Sequence, residues 1–281
     1  MEKHLHRTRK SYNNLDSYDD ELAIVLELLR RAKDVEQELL KEFEEIFKDL
    51  VDLYQEWFPF YYPHGVLNKQ EFQKLVLSFI NSNSFETGIE KAIEECSAKV
   101  RQLETNRLMA WLILDYELTA KKTRESIGIP AKQILDEQFI KEKVLQPWCD
   151  DGKTFLQRID VSIVDMEDKL HYVIAEGLYK GWTIEQMTNK LRTITGMAAY
   201  KAARLIRTET MAIYSKATKE TFLANGIEYV EIIGDAACGG ICLDYVGEAI
   251  PLREAQIGDD LPPYHPNCAC SFCAYTEFED E

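Results

Sequence analysis

Five cysteines crowd the last 44 residues, at positions 238, 242, 268, 270 and 273, while Cys96 and Cys149 stand alone. Three residues separate Cys238 from Cys242, and after 22 more residues comes His265-Pro-Asn-Cys268-Ala-Cys270. A zinc ion takes four soft or borderline donors in a tetrahedron, and two loops with two donors each are a common way to supply them. The spacing predicts Cys238, Cys242, His265 and Cys268 as ligands. Cys270 competes with Cys268, since residues i and i+2 of an extended segment point to one side, and Cys273 is the least suited. Gly239 and Gly240 let the first loop fold tightly, and Pro262, Pro263 and Pro266 stiffen the second. Four protein ligands leave no open position, so the site would be structural, not hydrolytic. Two other readings stay open: a disulfide formed outside the reducing cell, and buried thiols without metal. An odd count of seven cysteines and no apolar stretch behind the first ten residues argue against a secreted disulfide framework.

A second group is Arg204-x-x-Arg207-Thr208-Glu209. Arg207 and Glu209, two apart on a helix, do not share a face. They read as an ion pair tying this helix to the following strand or the cysteine loop, or, with Arg204, as a phosphate contact. Templates for a metalloprotease helix, a phosphate-binding loop, a dinucleotide fold and a nucleophile elbow are all missing. His171 reads as a packed helix residue. The expectation is a protein that is not an enzyme.

The elements that must carry these residues are mostly helical. Apolar positions at Leu22, Val25, Leu29, Ala32, Leu39, Phe43, Ile46, Leu50 and Leu53 alternate by three and four, with a break at Glu36. This predicts a long bundle or coiled-coil helix ending near Trp57, before Pro59 and Pro63. The aromatic run 57–65 that follows either plugs a bundle or docks a partner. Helices are expected over 70–81, 85–125 and 132–144. A further helix over 155–179 should be broken by Gly177 and Gly181. Thr183-Ile-Glu-Gln has capping-box spacing and starts a helix over 184–193; another, over 197–224, stops at Asn225-Gly226. Residues 228–233 alternate as a strand. The fold class is therefore α+β, mainly α: a long-helix N-terminal half, 1–150, then a helical C-terminal domain, 151–281, with a small β and zinc-loop element.

Composition narrows the function. The 281 residues carry 33 basic against 49 acidic side chains, a net charge of −16. Between Asp235 and Glu281 there are ten carboxylates and one Arg, whereas 198–220 holds five Lys or Arg against two Glu. Proteins that coat nucleic acid are normally basic, because phosphate neutralisation supplies most of their affinity. The overall charge argues against a general coat and leaves room for a local basic face on the helix; the other reading of these charges is solvated faces that keep the protein soluble. With no apolar run of membrane-spanning length, the chain reads as soluble and made in a cytoplasm.

The ordered series Gly181, Thr183-Ile-Glu-Gln, Ala203-Arg204-Leu-Ile-Arg207-Thr208-Glu209-Thr210, Tyr214, Gly226, Asp235, Cys238/Cys242, Gly247, Pro262-Pro263 and His265-Pro266-Asn267-Cys268-Ala269-Cys270 resembles the C-terminal domain of phage minor head proteins, the phage Mu F-like head morphogenesis family. The resemblance covers residues 155–278. It departs in lacking the Arg usual before the first cysteines, in one extra residue between them, and in having Ala269 where an Arg is usual. It implies a structural minor head protein of a tailed-phage virion, present in few copies near the portal. The role is head assembly, extending to DNA packaging or ejection, with portal, capsid or scaffold proteins as partners, weak contact with phage DNA at most, and no membrane. The N-terminal half would supply the portal or scaffold contact. A zinc-stabilised nucleic-acid-binding module and an effector-type enzyme are the alternatives.

Overall fold

Five α-helices precede a three-stranded antiparallel sheet in the computed structural model, which describes residues 15–61, 83–130, 135–180, 182–234 and 240–275. The helices are α1 (Leu15–Tyr61), α2 (Asn83–Ser126), α3 (Glu137–Leu145), α4 (Phe155–Lys180) and α5 (Ile184–Ala224). The strands are β1 (Tyr229–Ile233), β2 (Ala249–Pro251) and β3 (Ser271–Tyr275), in the order β2-β1-β3, with a 3-10 helix at Gly240–Asp244. The chain is thus mainly α with a small β element. Among the described residues no helix is long and apolar enough to cross a membrane. The helix expected over 70–81 lies outside the described residues, as do the side chains of the aromatic run at 57–65.

α1 is longer than its apolar pattern suggested: 47 residues, about 70 Å at 1.5 Å per residue, and it passes Trp57 to end at Tyr61. The gap at Glu36 also closes. Val25, Leu28, Ala32, Val35, Leu39, Phe43, Phe47 and Leu50 are all buried, so Leu28 and Phe47 face inward in place of Leu29 and Ile46, and Val35 bridges the gap.

Two compact units are formed. The first draws on Met1–Leu29, Ile113–Lys143 and Thr210–Glu281. Ile24, Val25 and Leu28 of α1 pack with Met211 and Tyr214 of α5. A second cluster joins Phe222 of α5 to Val230, Ile232 and Phe272 of the sheet and to Leu252, Ala255 and Leu261 of the loops. Register sets the faces. Ile232 sits opposite Phe272 on the core side, and Glu231 sits opposite Cys273 on the other. α3 is fixed through Glu220, which accepts from Tyr116 at 2.5 Å and from Lys143.

The second unit draws on Arg30–Leu112 and Val144–Glu209. Here α1 meets α2 through Arg107, which donates to Glu38 at 3.0 Å and Glu42 at 2.6 Å, and through Lys99 to Asp49 at 2.6 Å. The inner stripe of α4, Phe155, Ile159, Ile163, Met166, Leu170 and Ile174, is fully buried.

Helix ends follow local chemistry. Thr183 and Gln186 exchange both capping-box bonds, Gln186 N–H to Thr183 Oγ1 at 3.2 Å and Thr183 N–H to Gln186 Oε1 at 2.9 Å. Thr154 and Gln157 do the same at the start of α4. α5 ends in a Schellman motif: Gly226 has φ +78°, Ile227 N–H reaches Phe222 C=O at 3.0 Å, and Gly226 N–H reaches Leu223 C=O at 3.3 Å.

Two expected breaks are absent. α4 runs through Gly177, and the glycine is there for space: a Cβ would overlap Met187 Cε and lie 2.8 Å from Trp182 Cε3. α5 runs unbroken through Gly196, so the two helices expected over 184–193 and 197–224 are one. Buried Leu191, Ile194, Thr195 and Ala199 hold the helix across the glycine, and burial outweighs its cost of about 1 kcal/mol.

Candidate metal centre

The cysteine-bearing loops are built from the sheet outward. Gly234 directly follows β1, and a Cβ there would collide with Val246 Cγ2 and touch Cys270 Sγ at 3.4 Å, so the bare backbone makes room for Val246 and Cys270. That turn contains the 3-10 helix, with Cys242 fully buried at its centre. Tyr245 and Val246 N–H both reach the Cys242 carbonyl, at 3.2 and 3.3 Å.

The second loop turns at His265-Pro266-Asn267-Cys268. Pro sits at the second position, Asn267 has φ +63° at the third, and Cys268 N–H donates to His265 C=O at 3.1 Å. These are the features of a type II turn, in which proline presets φ and asparagine tolerates the left-handed conformation. The turn sets His265 and Cys268 side by side and leads Cys270 into β3.

Cys242, Cys268 and Cys270 are all buried, with their sulfurs within 4.8 Å of one another. Cys242 and Cys268 Sγ are 3.8 Å apart. Two thiolates about 2.3 Å from one tetrahedral zinc are separated by about 3.8 Å, so the pair already has the spacing such an ion needs. His265 Nε2 lies 3.1 Å from Cys242 Sγ, and Nδ1 is 2.9 Å from Pro266 O. A carbonyl can only accept, so Nδ1 carries the proton and Nε2 faces the sulfur with its lone pair, the tautomer metal-bound histidines use. Hydrogen bonding from the Cys270 side chain holds the Cys268 thiol down to about 5, against its burial. Burial, with the neighbouring sulfurs adding to it, pushes the Tyr264 phenol up. Tyr264 stacks on Tyr245, centroids 4.5 Å apart. The donor set is sulfur and imidazole with no carboxylate, suited to zinc or another thiophilic ion and unsuited to magnesium or calcium.

Among the five positions expected to bind metal, three thiols come together, His265 touches one of them, and Cys238 lies outside the described residues. Cys268 and Cys270 do not alternate; both face Cys242. Cys273 stands apart beside Glu231, and burial pushes its thiol up to about 12.

Arg207 donates to Glu36 of α1 at 2.7 Å. Glu209, nearly fully buried, accepts from Arg158 of α4 at 2.7 Å and from Trp148 Nε1, before α4, at 3.0 Å. The basic stretch 198–220 is largely spent in the same way: Lys201 pairs with Asp165, Lys216 donates to Lys143 O and Lys219 to Ala255 O. Arg204 is exposed, and so is His171, which had read as packed.

Besides Glu209, the carboxyls of Glu21, Glu104 and Asp115 are buried, which the spacing of motifs does not announce. Glu21 accepts from Tyr214 at 2.7 Å and Ser126 at 3.0 Å, yet burial pushes it up to about 7. Glu104, with Oε2 lacking a hydrogen-bond partner, is pushed by burial up to about 8. Glu21 lies one helical turn before Val25, a spacing that marks it as inward-facing.

Residues 168–273 match the family model described as Phage Mu protein F like protein. The match begins inside α4 and takes in α5, the sheet and the thiol cluster. No curated protein and no solved structure matches the chain.

Proposed function

From the phage Mu protein F like region at residues 168–273, which supports a phage head morphogenesis role, we propose that the chain is a structural, non-enzymatic minor head protein of a tailed phage. It enters the assembling head near the portal, contacts portal, capsid or scaffold proteins, and assists DNA packaging or ejection. Its C-terminal region is held by a structural zinc on Cys242, Cys268 and Cys270, with His265 as the fourth ligand. The observation that carries this reading is the coincidence of the matched region with the buried three-thiol cluster. The loops that carry the thiols have little regular secondary structure, and a metal supplies folding free energy on the order of 10 kcal/mol to such a region.

The test has two parts. Elemental mass spectrometry of protein purified without chelator should find one zinc per chain, lost in Cys242→Ser and Cys268→Ser together with sheet folding. In a phage lacking the gene, head assembly should stall and be restored by the wild-type chain, which should then appear in purified heads by mass spectrometry. Normal heads without the protein overturn the assembly role; a metal-free, fully folded protein overturns the clasp.

A further inference from the structure

The turn that buries Cys242 turns its neighbours outward. Ile241 and Leu243 flank it on the 3-10 helix and are 53% and 54% exposed, and Val246 beyond the turn is 38% exposed. Three large aliphatic side chains exposed within six residues of one turn are a concentration of apolar surface, and exposed apolar surface gathered in one place marks an interaction site. Their surroundings are acidic. Asp244 and Glu248 are exposed beside them in the chain. The support beneath is stiff: the Cys242 carbonyl accepts two backbone bonds, Gly247 N–H returns to Ile232 O at 3.0 Å, and Tyr245 is stacked on Tyr264. A patch fixed in advance loses little entropy when a partner lands on it.

We propose that this turn is a docking knob for a basic segment of a protein partner. The partner seats an aliphatic or aromatic side chain on Ile241 and Leu243 and sets Lys or Arg against Asp244 and Glu248. The apolar pair supplies affinity, and the acidic rim selects: it repels acidic surfaces and the phosphates of nucleic acid and steers cationic segments in. Only the location of that partner, among head proteins, rests on the function proposed above; the docking chemistry does not.

The test uses the purified full chain and a short fluorescent peptide of Lys and Leu at helical spacing, at about 0.15 M salt. A Lys/Ser peptide of equal charge, a Glu/Leu peptide and a DNA duplex are the comparison probes. The Lys/Leu peptide should bind at least about tenfold more tightly than any of these. Ile241→Ser with Leu243→Ser, and Asp244→Asn with Glu248→Gln, should each weaken it by about tenfold or more, while Val161→Ser with Val164→Ser, exposed on α4, should not. All altered side chains are solvent-exposed, so circular dichroism and metal content should match wild type. Equal binding by every variant, no binding, or preference for the Glu/Leu peptide or DNA overturns the proposal. A failed head-assembly experiment leaves these measurements untouched.

Discussion

Glu209 shows what a single buried charge demands of its neighbours. It is satisfied by one Arg158 nitrogen and the Trp148 indole, while the other Arg158 nitrogen holds Asp151 at 2.6 Å and Cys149 Sγ at 3.0 Å. Arg158→Ala removes the cation and strands the carboxylate, so urea unfolding should show a loss of about 3–5 kcal/mol. Arg158→Lys should recover only part of it, because an ammonium cannot reproduce the planar fork that spans Glu209 and Asp151. Glu21 and Glu104 carry a different burden. Their folded values, about 7 and about 8, lie above the unfolded 4.5, so the folded state prefers the protonated acid. Their contribution is fully present below about pH 4.5 and is lost as pH rises through 7 and 8, on the order of 3 kcal/mol for Glu21. Stability measured from pH 5 to 9 should therefore fall. Glu21→Gln should reduce the slope below about pH 7 only, and Glu104→Gln should reduce it up to about pH 8; an unchanged slope would show that these carboxyls are solvated.

At the scale of elements, two glycines with similar helical settings should respond oppositely to alanine. Gly196 has open space where a Cβ would go, so Gly196→Ala should stabilise by about 0.5–1 kcal/mol. Gly177→Ala gains the same propensity but must displace Met187 and the Trp182 ring, and overpacking of about 1–3 kcal/mol should leave it neutral to destabilised. Thermal melts of the two variants would decide it. The contrast marks the limit of what the chain reveals before it folds. Caps at Thr183 and Gly226, the alternating strand and the grouped thiols are legible because their chemistry is local, within a few residues or a fixed motif. The continuity of α5 across Gly196 is not, because what holds it is burial contributed from elsewhere. Nor could spacing show that Arg207 pairs with Glu36, 171 residues away, since that depends on which helices meet. The i, i+2 spacing of Cys268 and Cys270 does put them on one side; that this side faces Cys242 depends on the turn at Asn267.

For the whole molecule, charge decides which partners are admitted. At −16, with Lys201, Arg207, Lys216 and Lys219 already engaged, the basic stretch of α5 has little to offer a phosphate backbone. A gel-shift assay with a short duplex should show no complex at about 0.15 M salt and micromolar protein. A complex that weakens steeply with salt, and disappears on Arg204→Glu, would restore the nucleic-acid reading. Exposed Arg253, just past β2, has a further consequence through the position of the thiols. A trypsin cut there would put Cys242 and β1 on one polypeptide, and Cys268, Cys270 and β3 on another. With the proposed zinc bound, the nicked protein would be a heterodimer stapled by its own shared ligands, migrating as one species in a native gel and parting when the metal is chelated or the sheet is unfolded.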